Sequence, residues 1–81
     1  MTVAVHLFAA ARDLAGGSTV AVELPAGATV AQVRAALAAR FPALAGLLVR
    51  SAVAVNQEYA DESTPVTDSD ELAVIPPVSG G

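Results

Sequence analysis

The chain has 81 residues, a formal net charge of −4 and no cysteine. Its hydrophobic fraction is 54%, but 19 residues are alanine, so the core must be small and we expect one compact domain. All the basic residues are arginines, too few to form a basic stripe along a nucleic acid. The sequence shows no apolar run of membrane-spanning length and no signal-peptide pattern. We therefore expect a cytoplasmic protein with no nucleic-acid or membrane partner and no disulfide.

The first part of the chain predicts two strands around a short helix. Residues 3–7 alternate valine or leucine with alanine or histidine, which is typical of a strand with two different faces. The alanine-rich residues 9–14 predict a helical turn or two, ended by Gly16 and Gly17. Residues 20–24 alternate again. We expect the two strands to pair like a hairpin.

The main helix is predicted to begin at Val30. Thr29 followed by Gln32 has the pattern of a capping box, in which each residue bonds the backbone amide of the other. Pro42 ends the helix, and Arg34 points away from its apolar face. That face repeats at helical spacing through Val30, Val33, Leu37 and Phe41.

The second half of the chain predicts three more strands. A packed turn at 44–48 precedes a strand at 52–55, which turns into a brief strand at 59–60. A loop at 64–70 leads to the last strand at 72–75. This order predicts an α+β fold, with a mixed sheet of about five strands and one main helix packed across it.

The side chains predict no active site of their own. His6, the only histidine, is expected at the core edge or the surface. Asp61 and Glu62, and the acids at 68–71, cluster in predicted loops, and turn chemistry accounts for Asp68 and Asp70 without a cation. No serine has a triad partner in a recognisable order, and no phosphate-binding loop is present. We predict no metal site.

The chain ends in the tail Pro76-Pro77-Val78-Ser79-Gly80-Gly81. We divide the chain into a domain over 1–75 and a flexible tail over 76–81. Prolines stiffen the base of the tail, which can reach roughly 20 Å at about 3.3 Å per residue, and glycines suit a narrow channel. Its unusual group is the Gly81 carboxylate. Because a carboxylate is a poor electrophile, its use requires activation by a nucleotide and an external enzyme, so the chain alone is not expected to be catalytic.

Four segments carry a family resemblance that covers essentially the whole chain. They are "LFAAARDLAG" (7–16), "LPAGATV" (24–30), "VAVNQEY" (53–59) and "DSDELAVIPPVSGG" (68–81). They resemble the MoaD family, the small sulfur-carrying subunits of molybdopterin synthase. The resemblance implies a ubiquitin-like β-grasp fold.

The resemblance also implies a mechanism. A MoeB-type adenylating enzyme would use ATP to activate Gly81, and a sulfur donor would convert it to a thiocarboxylate. The tail would then enter the large MoaE-type subunit, within a heterotetramer, and donate sulfur to cyclic pyranopterin monophosphate. The chain itself would hold no cofactor.

The resemblance also implies roles for individual residues, at the positions that match the family's sequence. Gly81 would bear the thiocarboxylate and Gly80 would give it access to the partner. The residues expected at the partner-binding surface and along the inserted tail are Phe8, Arg12, Ile75, Pro76, Pro77, Val78 and Ser79. Without a partner role, Phe8 would be a core residue, Arg12 a solvated helix charge and Ile75 an ordinary strand residue.

Three alternative functions stay open on the sequence. The first is a sulfur carrier for thiamine thiazole, cysteine or tRNA thiolation, since the tail chemistry is the same. The second is a protein modifier that is joined to lysines of its targets, as ubiquitin is. The third alternative is a passive interaction domain that uses a sheet edge.

Overall fold

A computed structural model describes residues 1–77, which form strands and helices in an α+β order. The strands are β1 (Thr2–Leu7), β2 (Thr19–Glu23), β3 (Ala52–Val55), β4 (Glu58–Ala60) and β5 (Leu72–Ile75). The helices are α1 (Ala9–Ala15), α2 (Val30–Arg40) and α3 (Ala45–Arg50), with a 3₁₀ turn over Pro42–Leu44.

The strands form one mixed sheet in the order β2-β1-β5-β3-β4. β1 and β2 form the predicted antiparallel pair, and β3 pairs antiparallel with both β4 and β5. The last strand, β5, lies in the middle and runs parallel to β1, with Val5 opposite Leu72. Pro76 and Pro77, which follow Ile75, therefore leave from the centre of the sheet rather than from its edge.

The apolar face of α2 packs into the core on one side of the sheet. Val30, Val33 and Leu37 are fully buried, as predicted, while Phe41 is partly buried. Complete burial of a valine or leucine side chain contributes roughly 1.5–3 kcal/mol. The helix begins where the Thr29 amide donates to Oε1 of Gln32 at 3.0 Å, the predicted capping contact. Local sequence patterns therefore predicted the start and the buried face of this helix correctly.

Two turns show why the chain reverses where predicted. α1 ends at Gly16, which has a φ of 80° and donates its amide to the Arg12 carbonyl at 3.0 Å. This left-handed conformation favours glycine. The β3–β4 hairpin turns through Asn56 and Gln57, both with positive φ.

The structure adds detail to two predicted segments. The packed turn at 44–48 is a 3₁₀ turn followed by the six-residue α3, which buries Leu44 and Leu48. The 64–70 loop is not entirely at the surface, because Val66 is 1% exposed and its amide donates to the Ala28 carbonyl at 2.9 Å. This loop therefore closes the core at the start of α2.

None of the helices within residues 1–77 has the length and apolar character that crossing a membrane requires.

Candidate functional site

The two faces of the sheet have different surroundings. On β5, Leu72 and Val74 point into the core and are fully buried. Ala73 and Ile75 point to the opposite face and are half-buried. Because side chains alternate along a strand, the same division runs through the neighbouring strands. The face opposite α2 is therefore the surface available beside the end of β5.

A groove with a volume of about 420 Å³ lies on this open face. Register places Ile75 and Phe8 at one end, because Leu7 pairs with Val74 and Phe8 follows it. Glu71 precedes β5 at the other end. The groove is lined by Phe8, Ala54, Gln57, Tyr59, Glu71, Ala73 and Ile75. It is thus apolar toward the tail and polar toward the β3–β4 hairpin, and we call it the open-face groove.

Phe8 is held at the surface by its backbone. It lies between β1 and α1 with extended φ and ψ of −124° and 155°, and its carbonyl accepts from the Ala11 amide at 3.1 Å. The next residue, Ala9, has a φ of 50°, so the chain turns sharply there. Phe8 is 51% exposed. The interpretation of Phe8 as a core residue is therefore wrong.

The structure brings Phe8 and Ile75 together but leaves Arg12 outside the open-face groove. Arg12 lies on α1, where its Nε is 3.7 Å from Oδ1 of Asp13 and its side chain is 54% exposed. Pro76 is half-buried and Pro77 is exposed. The predicted residues Val78, Ser79, Gly80 and Gly81 lie outside the described residues, so their assigned roles stay predictions.

Sequence reasoning missed five groove residues: the small Ala54 and Ala73, and the larger Gln57, Tyr59 and Glu71. Tyr59 pairs with Ala54 and is 76% exposed, an unusual position for a large aromatic side chain. The alternation of the β3–β4 hairpin was the signal that would have placed Tyr59 on the open face. Gln57 and Glu71 are distant in sequence and only the fold brings them to one groove.

Asp61 and Asp70 each accept hydrogen bonds within their own loops, as the turn interpretation predicted for Asp70. Oδ1 of Asp61 accepts from the Ser63 hydroxyl at 2.8 Å and from the Thr64 hydroxyl at 3.1 Å, which lowers the pKa of Asp61. Asp70 accepts from the Asn56 side-chain amide at 3.0 Å and from the Thr67 amide at 2.8 Å, which lowers the pKa of Asp70.

The described part of the chain does not bring potential metal ligands together. Over residues 1–77 there is no group of three or more histidine or acidic side chains that could hold a metal ion. His6 is half-buried on β1, with Nδ1 at 3.3 Å from the Thr19 hydroxyl across to β2. It does not line the open-face groove.

The strand order, the single long helix on one face and the open face beside a central last strand define a ubiquitin-like β-grasp protein. The predicted fold is thereby confirmed. Comparison with known sequences goes further, since the model of the ThiS family matches residues 5–81. The chain belongs to the ThiS family.

Individual relatives agree with this assignment. The chain is 40% identical over 77 residues to the molybdopterin synthase sulfur carrier subunit of Arabidopsis thaliana, which covers 95% of this chain and 80% of that protein. The small archaeal modifier protein 1 of Haloferax volcanii is similar in structure, with a TM-score of 0.86 and 33% identity over 95% of this chain and 98% of that one. The complex of subunits 1 and 2 of the molybdopterin-converting factor from Helicobacter pylori contains a chain with a TM-score of 0.71 and 26% identity, over the whole of both chains.

Proposed function

We propose that this protein is a sulfur carrier for molybdenum cofactor biosynthesis and acts in the cytoplasm. The observation that carries the proposal is the 40% identity, over nearly the whole chain, to a molybdopterin synthase sulfur carrier subunit. The fold supports it, because β5 lies in the centre of the sheet and leads directly into the segment that ends at Gly80 and Gly81. In this proposal the domain over 1–75 presents the tail over 76–81.

The proposed chemistry takes place at the Gly81 carboxylate. A MoeB-type enzyme uses ATP to form an acyl adenylate at Gly81 and releases pyrophosphate. A sulfide equivalent from a sulfur donor then displaces AMP, which leaves a thiocarboxylate. During transfer to cyclic pyranopterin monophosphate, the carbonyl carbon gives up its sulfur and regains an oxygen from water. Gly80 lacks a Cβ and so leaves room around the reacting carbon. The chain holds no cofactor in this scheme and is not catalytic by itself.

The proposed partner is the large, MoaE-type subunit of molybdopterin synthase, in a heterotetramer. The Helicobacter pylori relative is described in complex with its second subunit, which supports a partner of this kind. Phe8 and Ile75, at the apolar end of the open-face groove, are the residues of the folded domain that would contact this partner. From there, Pro76, Pro77, Val78 and Ser79 would carry the terminal glycines into the partner's pocket.

Intact-mass spectrometry tests the proposal. The protein is incubated with its activating enzyme, ATP and a sulfur donor, and we expect the mass change of one oxygen-to-sulfur exchange at Gly81. Addition of the large subunit and cyclic pyranopterin monophosphate should then restore the original mass as molybdopterin forms. Loading without any molybdopterin would instead indicate a sulfur carrier for another pathway.

A second candidate function is protein modification. It is favoured by the structural similarity to a protein named small archaeal modifier protein 1. The two functions differ in the acceptor, since a modifier forms an amide bond with a target lysine. The chain contains no lysine, so it cannot build lysine-linked chains on itself. Tryptic peptides of cell proteins carrying a C-terminal remnant of this chain on lysine would support the modifier.

A further inference from the structure

The β3–β4 hairpin has an unusual turn residue at the rim of the open-face groove. Val55 pairs with Glu58, so Asn56 and Gln57 form a two-residue loop, with φ values of 52° and 70°. Such loops need positive φ at both positions, which asparagine followed by glycine provides most easily. Gln57 stands where glycine would be favoured. Left-handed backbone at a residue with a Cβ costs on the order of 1 kcal/mol, and strain of this kind accumulates at functional positions.

Hydrogen bonds hold this turn against the start of β5. The Asn56 amide donates to the Glu71 carbonyl at 2.7 Å, and the Glu71 amide donates to Oδ1 of Asn56 at 2.9 Å. The Asn56 side-chain amide also donates to Asp70 at 3.0 Å. Gln57 and Glu71 therefore line the same end of the groove from two segments that are fixed relative to each other.

The polar end of the groove has side-chain groups that can accept hydrogen bonds from a partner. Within residues 1–77, the Glu71 carboxylate makes no hydrogen bond or ion pair and the Gln57 carboxamide makes no hydrogen bond. Tyr59 stands beside them with 76% of its surface exposed. An anionic acceptor, an amide acceptor and an aromatic ring thus meet in one concave site.

We propose that this end of the groove binds an arginine side chain of the large subunit, an inference that rests on the proposed function. A guanidinium donates in a planar fork to a carboxylate, has further N–H groups for an amide oxygen, and stacks on aromatic rings. Glu71, Gln57 and Tyr59 supply these three contacts. The apolar end at Phe8 and Ile75 takes the neighbouring apolar side chains of the same partner surface. In this proposal the Gln57 carboxamide has a binding role that accounts for a side chain at this strained position.

Affinity for the large subunit tests this arrangement. Calorimetric titrations compare the wild type with Glu71→Gln, and with Glu58→Gln as a matched control for charge. Glu58 belongs to the same hairpin, but it neighbours Tyr59 in β4 and so points to the other face. We expect Glu71→Gln to raise Kd about three- to tenfold at low salt and to flatten the salt dependence, while Glu58→Gln changes Kd less than twofold.

Gln57 variants separate recognition from turn geometry. Gln57→Gly relieves the backbone strain and Gln57→Ala retains it, but both remove the carboxamide. We expect both variants to raise Kd by a similar factor of about three, with Gln57→Gly the more stable protein. If Gln57→Gly bound as tightly as the wild type, or Glu71→Gln matched Glu58→Gln, the arginine site would be wrong.

Failure of the inference is distinguishable from failure of the proposed function. Sulfur loading at Gly81 and binding of the unmodified wild type to the large subunit are measured first. If neither occurs, the proposed function is wrong and the inference falls with it. If both occur and the Glu71 and Gln57 variants bind like the wild type, only the arginine site is refuted.

Discussion

The guanidinium of Arg34 donates two hydrogen bonds to the carboxylate of Glu62, at 3.0 Å from Nε and 2.9 Å from Nη2. Nη1 of the same side chain donates to the carbonyls of Leu48 and Ser51, the latter at 2.8 Å. One arginine on α2 therefore connects the end of α3 and the loop after β4. The Arg34 side chain is only 21% exposed, so these contacts are largely shielded from water.

Replacement of Arg34 by alanine should destabilise the protein by about 1–3 kcal/mol. The variant removes the Arg34 donor from the Ser51 carbonyl and one of two donors from the Leu48 carbonyl, which also accepts from the Ser51 amide at 3.2 Å, in a partly buried place. Glu62→Gln is the matched control, because Glu62 is 54% exposed and should contribute less than about 1 kcal/mol. Urea unfolding monitored by circular dichroism measures both. Equal effects of the two variants would mean that the ion pair, and not the carbonyl contacts, accounts for the role of Arg34.

Replacement of Gln57 by glycine should stabilise the protein by about 0.5–1 kcal/mol. The gain comes from relief of the left-handed backbone and is reduced by the greater freedom of glycine in the unfolded chain. Gln57→Ala has the same backbone restriction as the wild type and should show no gain. Thermal unfolding of the three proteins provides the comparison. A loss of stability in Gln57→Gly would contradict relief of backbone strain, and an equal loss in Gln57→Ala would show that the carboxamide itself stabilises the hairpin.

Local patterns predicted those parts of the fold that depend on neighbouring residues. Thr29 and Gln32 set the start of α2, and alternation located the strands around the core. Contacts between distant segments left no such pattern. Arg34 was predicted only to point away from the apolar face, yet it binds Glu62, which lies 28 positions along the chain. Val66 looked like part of a loop because its burial depends on packing against the start of α2.

The candidate site could likewise be predicted only in part. Phe8 and Ile75 were predicted from a family resemblance, and the parallel register of β1 and β5 places them at one end of the groove. Gln57 and Glu71 were missed because they meet only through the antiparallel pairing of β3 with β5. The polar end of the groove therefore forms only when the chain folds, and the local sequence does not reveal it.

Acid should weaken the fold through Asp61 and Asp70. Hydrogen bonds to the ionised carboxylates, chiefly from Ser63 to Asp61 and from Asn56 to Asp70, lower the pKa of both groups from the ordinary value of an aspartate. A lowered folded-state pKa contributes stability above the unfolded pKa, and this contribution is lost as pH falls through the folded value. We expect carboxyl NMR titrations of both residues to have midpoints lower than that of an aspartate in an unstructured peptide. The free energy of unfolding should also decrease on acidification below about pH 4.

A pair of asparagine variants isolates the contribution of Asp70. Asp70→Asn should flatten the acid dependence of the unfolding free energy, because it removes the titrating group that bonds Asn56 and Thr67. Asp68→Asn serves as the control in the same loop. If the two variants had identical acid profiles, the hydrogen bonds of Asp70 would not be the source of the dependence.

Phe8→Ala should weaken the complex with the large subunit by about 1–4 kcal/mol, as expected for an apolar anchor. Because Phe8 is 51% exposed in the free protein, its removal should change the unfolding free energy by only about 0.5 kcal/mol. Leu14→Ala is the matched control, since Leu14 is also about half exposed, at 50%, but does not line the open-face groove. Calorimetric titration should show loss of affinity for Phe8→Ala alone. Similar losses for the two variants would place the interface on α1 instead.

Deletion of Gly81 should abolish sulfur transfer and leave thermal unfolding unchanged. β5, the last strand within residues 1–77, ends at Ile75, six positions before Gly81. The deletion pulls the terminal carboxyl carbon back by roughly 3.5 Å. Misplacement by about 1 Å can already reduce a reaction rate a hundredfold. Part of the affinity for the large subunit should survive, because Phe8 and Ile75 remain. The measurement is molybdopterin formation in an extract lacking the small subunit, with the wild-type chain as the positive control. Restored synthesis by the deletion variant would rule out Gly81 as the sulfur-bearing residue.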